Sequence, residues 1–133
     1  MKDDEIRSFC ERNGIDLLVL FGSSASGRMN SASDIDLAVK FRQGVKCSKL
    51  ELIYELNDIF DGKEIDLVVL SADTDPLLLY EVFVRGGSLY EGSAGIFESE
   101  RLRAWKLYLD SEKIRVMQKK YLRDFVEKVS NVA

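Results

Sequence analysis

Three aspartates carry most of the chemistry this sequence can offer. Asp34 and Asp36 stand two residues apart in Ser33–Phe41 (SDIDLAVKF), a segment whose alternation predicts a β-strand. Side chains two apart on a strand share a face, so Asp34, Asp36 and Ala38 point one way, and Ile35, Leu37 and Val39 point towards a core. Asp66 occupies the matching place in Glu64–Leu70 (EIDLVVL), where Ile65, Leu67 and Val69 form the apolar side. If the two strands are neighbours, the three carboxylates converge. Converging carboxylates repel and raise one another's pKa unless a cation lies among them. A hard divalent ion with oxygen ligands answers that need, and Mg²⁺ keeps positions for phosphate and water.

Gly22-Ser23 follows directly on an apolar strand, Ile15–Phe21 (IDLLVLF). Glycine permits a sharp turn, and a serine hydroxyl with nearby N–H groups suits phosphate oxygens. A phosphate grip, an acidic pair and a third acid on another strand together describe metal-assisted phosphoryl or nucleotidyl transfer.

The elements that must position these groups are legible from periodicity. A short helix over 3–13 presents Ile6, Phe9 and Cys10 on one side, and Asn13-Gly14 stops it. Residues 48–60 form an amphipathic helix through Leu50, Ile53, Leu56, Ile59 and Phe60, closed by Asp61-Gly62. Asp75-Pro76 starts another helix, with Asp75 as cap, that runs to Gly86-Gly87. A short extended piece, Ser88–Tyr90, follows, and from about Phe97 the chain reads as helical with a break near Asp110-Ser111. The order predicts an α+β (α/β-like) domain: a small mixed sheet, helices packed on one face, and a long C-terminal helical region. Residues 1–133 read as one domain, with about 97–133 as its helical extension.

Gly22-Ser23, ten residues, then Asp34-Ile35-Asp36 matches the G-S-x10-D-x-D signature of polymerase-β-like nucleotidyltransferases. The wider stretch GSSASGRMNSASDIDLAV resembles the minimal nucleotidyltransferase (MNT) branch, and Glu64–Val68 resembles the strand bearing that family's third acid. Leu79-Tyr80-Glu81 and the helix bearing Trp105 look like MntA-type antitoxins paired with HEPN toxins. The resemblance implies the palm-like fold of polymerase β and transfer of AMP from ATP to a partner protein. It places Asp34, Asp36 and Asp66 as catalytic and metal-binding residues for two Mg²⁺ ions. Gly22, Ser23, Ser33 and Arg28 would then surround the nucleotide. Asp66 is the candidate for drawing the proton from the acceptor hydroxyl. One departure bears on nucleotide affinity: Ser26 stands where the family commonly has arginine, and Arg28 is the neighbouring guanidinium.

Composition narrows the alternatives. With no histidine among 133 residues, imidazole catalysis and His-zinc hydrolysis are excluded. Cys10 and Cys47 form no C-x-x-C pair and read as small, semi-buried residues. A net charge of −4 argues against binding long nucleic acid, and no apolar run reaches the length of a bilayer span. The acidic start, without the pattern of a signal peptide, leads to a cytoplasmic expectation.

Asp16 reads as a solvated strand start, and Lys40, Arg42 and Lys46 as exposed bases. Trp105, Tyr108, Tyr121 and Phe125 read as helix-packing residues, some of which could instead form a partner surface on so long a helix. The expected partner is a HEPN-domain toxin, with a nucleoside triphosphate as the small-molecule substrate. A binding-only antitoxin and a transferase acting on a small molecule are the two rival readings.

Overall fold

A computed structural model describes residues 2–22 and 34–130. Helix α1 (Lys2–Arg12) begins with Asp3, Asp4 and Glu5 and ends on Arg12, charges that complement the helix dipole. Its stop is local: the Asn13 side-chain amide donates to Phe9 O at 2.8 Å, and Gly14 turns with φ +66°. Strand β1 (Ile15–Phe21) and strand β2 (Ile35–Phe41) then pair antiparallel.

Helix α2 (Lys49–Ile59) is capped by Ser48, whose hydroxyl accepts from Glu51 N. It is the crossover that lets strand β3 (Ile65–Val69) lie parallel to β2, a connection no tight turn can make. Helix α3 (Pro76–Phe83) has Asp75 as its cap, accepting from Leu77 N at 2.7 Å, and proline in its first turn. Strand β4 (Gly87–Glu91) joins the free edge of β1, giving the order β3-β2-β1-β4. Helix α4 (Ile96–Ser130) completes the chain.

Core packing explains this layering. Helices α1 and α2 press Ile6, Phe9, Leu52 and Leu56 onto Ile35, Leu37, Val39 and Leu67. That is the helix-covered face foreseen from the strand alternation. The opposite face is covered as well, over part of its area: Leu79, Val82 and Phe83 of α3 and Phe97 and Ala104 of α4 pack on Leu17, Val19, Phe21 and Ala38. The carboxylate side of the sheet is therefore open only beyond these helices. The reason is the short β3–α3 connection, which returns the chain across that side, with β4 then leading it into α4.

No break interrupts α4 at Asp110-Ser111. The Ser111 hydroxyl donates to Tyr108 O at 2.9 Å and accepts from Arg115, so a residue that could end the helix bonds within it instead. Among the described residues, no helix is long and apolar enough to cross a membrane.

Candidate active site

The sheet register builds the site. Phe21 faces Asp36 across β1–β2, and Asp36 faces Asp66 across β2–β3, so one row runs Phe21, Asp36, Asp66. Phe21 is buried beneath α3 and forms the apolar end of that row. Asp36 is half-buried, while Asp66 and Asp34 are exposed. Asp34 immediately precedes β2, next to the point where Ile35 N donates to Glu64 O at 2.9 Å.

Burial pushes the Asp36 carboxyl above its usual range, and repulsion from Asp66 pushes it further. A hydrogen bond shared with the Asp66 carboxyl and the charge of Asp34 add to the rise. Asp36 is thus the carboxyl at the centre of the acids, and burial and the like charges around it both disfavour its ionised form. A divalent cation held among them would offset that repulsion. The donor set is all oxygen, which suits Mg²⁺ rather than a softer metal. Among the described residues, no three acidic or thiol side chains already stand as a ligand set.

Gly22 fixes where Asp36 can lie. It turns directly after β1 with φ +72°. A Cβ on Gly22 would overlap Asp36 Oδ2 and lie 3.0 Å from Asp36 Cγ. Only glycine gives both the left-handed backbone and the space that this carboxylate fills. Ser23, Arg28 and Ser33, the other residues expected around the nucleotide, lie outside the described residues, as does Ser26.

Two features of this face carry no signal in motif spacing. Gly86 lets the end of α3 approach β1, because a Cβ there would meet Val82 O, Leu20 O at 2.8 Å and Phe21 Cβ at 3.1 Å. Lys40, on the same face of β2 as Asp36, is not a free base: its Nζ bonds Glu100 Oε1 at 2.8 Å, and Arg103 meets Glu100 at 3.5 Å. These side chains, with Leu70, Ser71 and Leu79, line a cleft of about 340 Å³. Its partners are 60 residues apart in the chain, so only the fold brings them together.

The remaining candidates play structural parts. Asp16 pairs with Arg42 at 3.6 Å, and its carbonyl accepts from Gly92 N at 2.7 Å. Cys10 is buried, as foreseen, but Cys47 is exposed because it lies in the loop before α2. Trp105 and Tyr108 stack with Tyr80 at centroid distances of 5.9 and 4.2 Å, which is the packing role read for them. Tyr121 and Phe125 are exposed instead.

Known proteins share this fold. A toxin–antitoxin crystal structure with AMP-PNP superimposes with a TM-score of 0.71 at 22% identity, covering 95% of this chain and 99% of that one. A complex of tri-AMPylated Shewanella oneidensis HEPN toxin with MNT antitoxin gives 0.63 at 21% identity, covering 94% and 96%. An MntA–HepT toxin–antitoxin structure gives 0.63 at 21%, covering 94% and 97%. No curated protein sequence matches the chain. Residues 4–94 match the family "Polymerase beta, Nucleotidyltransferase". That match takes in every strand of the sheet, including both that carry the aspartates, so the chain belongs to the polymerase-β family of nucleotidyltransferases.

Proposed function

We propose that this protein transfers AMP from Mg·ATP to a hydroxyl of a partner protein, and that the partner is a HEPN toxin which the transfer neutralises. The observation that carries the reading is the row Phe21–Asp36–Asp66 beside Gly22, in a nucleotidyltransferase fold. The structural likeness to toxin–antitoxin complexes, one holding AMP-PNP and one an AMPylated HEPN toxin, supports the choice of nucleotide and acceptor.

In this reading Asp34 and Asp36 would hold one Mg²⁺ ion, and Asp36 and Asp66 would hold a second. Bound Mg²⁺ supplies positive charge against the phosphates and the three carboxylates. Gly22 keeps the backbone thin where the phosphates must pass, and Ser23, Ser33 and Arg28 grip them. Asp66 takes the proton from the acceptor hydroxyl. The oxygen so freed forms a bond to the α-phosphorus, the bond from that phosphorus to the β-phosphate bridge breaks, and pyrophosphate departs. Phe21 and the C-terminal half of α3 close the apolar side of the row against water.

Asp66→Asn separates binding from chemistry. The variant is expected to bind Mg·ATP in calorimetry and to lose AMP transfer by at least about a hundredfold, the scale of a removed general base. Near-normal transfer by Asp66→Asn would remove Asp66 from that role.

A further inference from the structure

Helix α4 extends well beyond the domain it packs on. Phe97 and Ala104 are buried, and Tyr108 stacks on Tyr80 of α3. Leu122 lies 18 residues on from Ala104, and Val126 18 on from Tyr108, about five turns in each case, so they occupy the same side of the helix. Ser111 and Arg115 interrupt that side just beyond the body, where the Arg115 guanidinium packs over the Tyr108 ring, and it turns apolar again at Leu122. Ile114, Met117, Tyr121, Phe125 and Val129 broaden it into a stripe; Met117 and Tyr121 are 70% exposed and Phe125 55%. Lys119 flanks the stripe beside Leu122, Lys113 flanks it beside Met117 and Lys128 beside Phe125, while Lys120 and Arg123 lie opposite.

A stripe of this size is unusual on a protein that acts alone. A projecting helix of about 20 residues is also only marginally stable in water without a packing partner. Charge indicates what covers it. Residues 112–133 carry six basic and three acidic side chains, whereas residues 1–111 carry thirteen basic and twenty acidic. Two copies pairing through this segment would bring like charges together. A different protein, with an apolar groove edged by acidic side chains, fits both the stripe and its rim.

We infer that the distal half of α4 is the docking arm for the protein that receives AMP, gripping an acid-rimmed apolar groove on that partner apart from the carboxylate site. This rests on the proposed transfer to a HEPN protein and adds where that protein is held. The segment spans roughly 30 Å at 1.5 Å per residue, shorter than a full standard interface requires, so it acts as an anchor beside contacts made at the active site.

The test uses the full chain with Met117→Ser, Tyr121→Ser and Phe125→Ser together, all at exposed positions. The probe is the HEPN toxin that the proposed function assigns to this chain as acceptor. Circular dichroism and Mg·ATP calorimetry are expected to match the wild type. Affinity for the HEPN protein is expected to fall at least about a hundredfold, as for loss of clustered anchor residues. KM for the protein acceptor is expected to rise by a similar factor, with kcat at saturation little changed. A triple variant that binds and modifies the HEPN protein as the wild type does would overturn the docking arm while leaving the proposed transfer intact. A wild type that neither binds nor modifies it would overturn both. Wild-type dimers in analytical ultracentrifugation that the triple variant dissolves would assign the stripe to a second copy and overturn the inference.

Discussion

Replacing Gly22 by alanine tests how the site is built, because the structure separates two effects of the change. The first is backbone strain: φ is +72° at Gly22, and a left-handed conformation costs a residue with a Cβ about 1–2 kcal/mol. Gly44 provides the control. Its φ is +82°, and a Cβ there meets nothing within 4 Å, so Gly44→Ala carries the backbone cost alone. The second effect belongs to Gly22 only, where the new methyl occupies the place of Asp36 Oδ2. The carboxyl must move by on the order of 1 Å, and a displacement of that size costs about a hundredfold in rate when a reacting group is misplaced. Both variants are therefore expected to lower thermal stability by about 1–2 kcal/mol, a shift of several degrees in Tm. Only Gly22→Ala is expected to lose AMP transfer, by about a hundredfold, and to weaken Mg·ATP binding. Intact mass spectrometry of the acceptor, timed at matched protein concentrations, reads the difference. Equal transfer by the two variants would refute the claim that Gly22 positions Asp36.

Cys10 and Cys47 are expected to differ sharply towards iodoacetamide: one label per native chain, on exposed Cys47, and two in denaturant. Burial, with the charge of Glu11 adding to it, pushes the Cys10 thiol up from 9.0 to about 12. Between those values the unfolded chain has lost a proton that the folded chain keeps, so the thiol's contribution is full below pH 9 and declines as pH rises towards 12. Cys10→Ala is expected to flatten that alkaline decline in urea titrations, and an unchanged slope would contradict it. Leu56→Ala, at a fully buried position of α2, is expected to destabilise by about 2–5 kcal/mol with no direct effect on the carboxylates. A loss below about 1 kcal/mol would mean that α2 does not pack as described.

How much of this was legible in the sequence follows the range of the interactions. The elements lie close to where period and turn residues placed them, the expected break in α4 and the later end expected for α3 excepted, because Asp75, Asn13 and Gly14 act on neighbours within four residues. Alternation put Asp36 and Asp66 on matching faces, and the parallel β2–β3 register brings them opposite each other. Asp34 precedes the strand instead of lying within it, since pairing of β2 with β3 begins at Ile35. The partial cover of the carboxylate face by α3 and α4 was not legible. It depends on Gly86 allowing close approach to β1 and on Glu100 reaching Lys40, contacts between groups tens of residues apart. The unbroken α4 was missed for a local reason: Ser111 favours helix ends, yet its hydroxyl here bonds back to Tyr108.

The central claim, that these aspartates drive transfer of AMP to a protein, is tested most directly by incubating the chain with Mg²⁺, α-labelled ATP and its proposed HEPN partner. Intact mass spectrometry of both chains reads the result. The expected outcome is one or more AMP additions on the partner, reduced by roughly a thousandfold in Asp36→Ala, which corresponds to about 4 kcal/mol of lost transition-state stabilisation at the metal. A stable complex in which neither chain gains mass would contradict the account and leave neutralisation by binding alone.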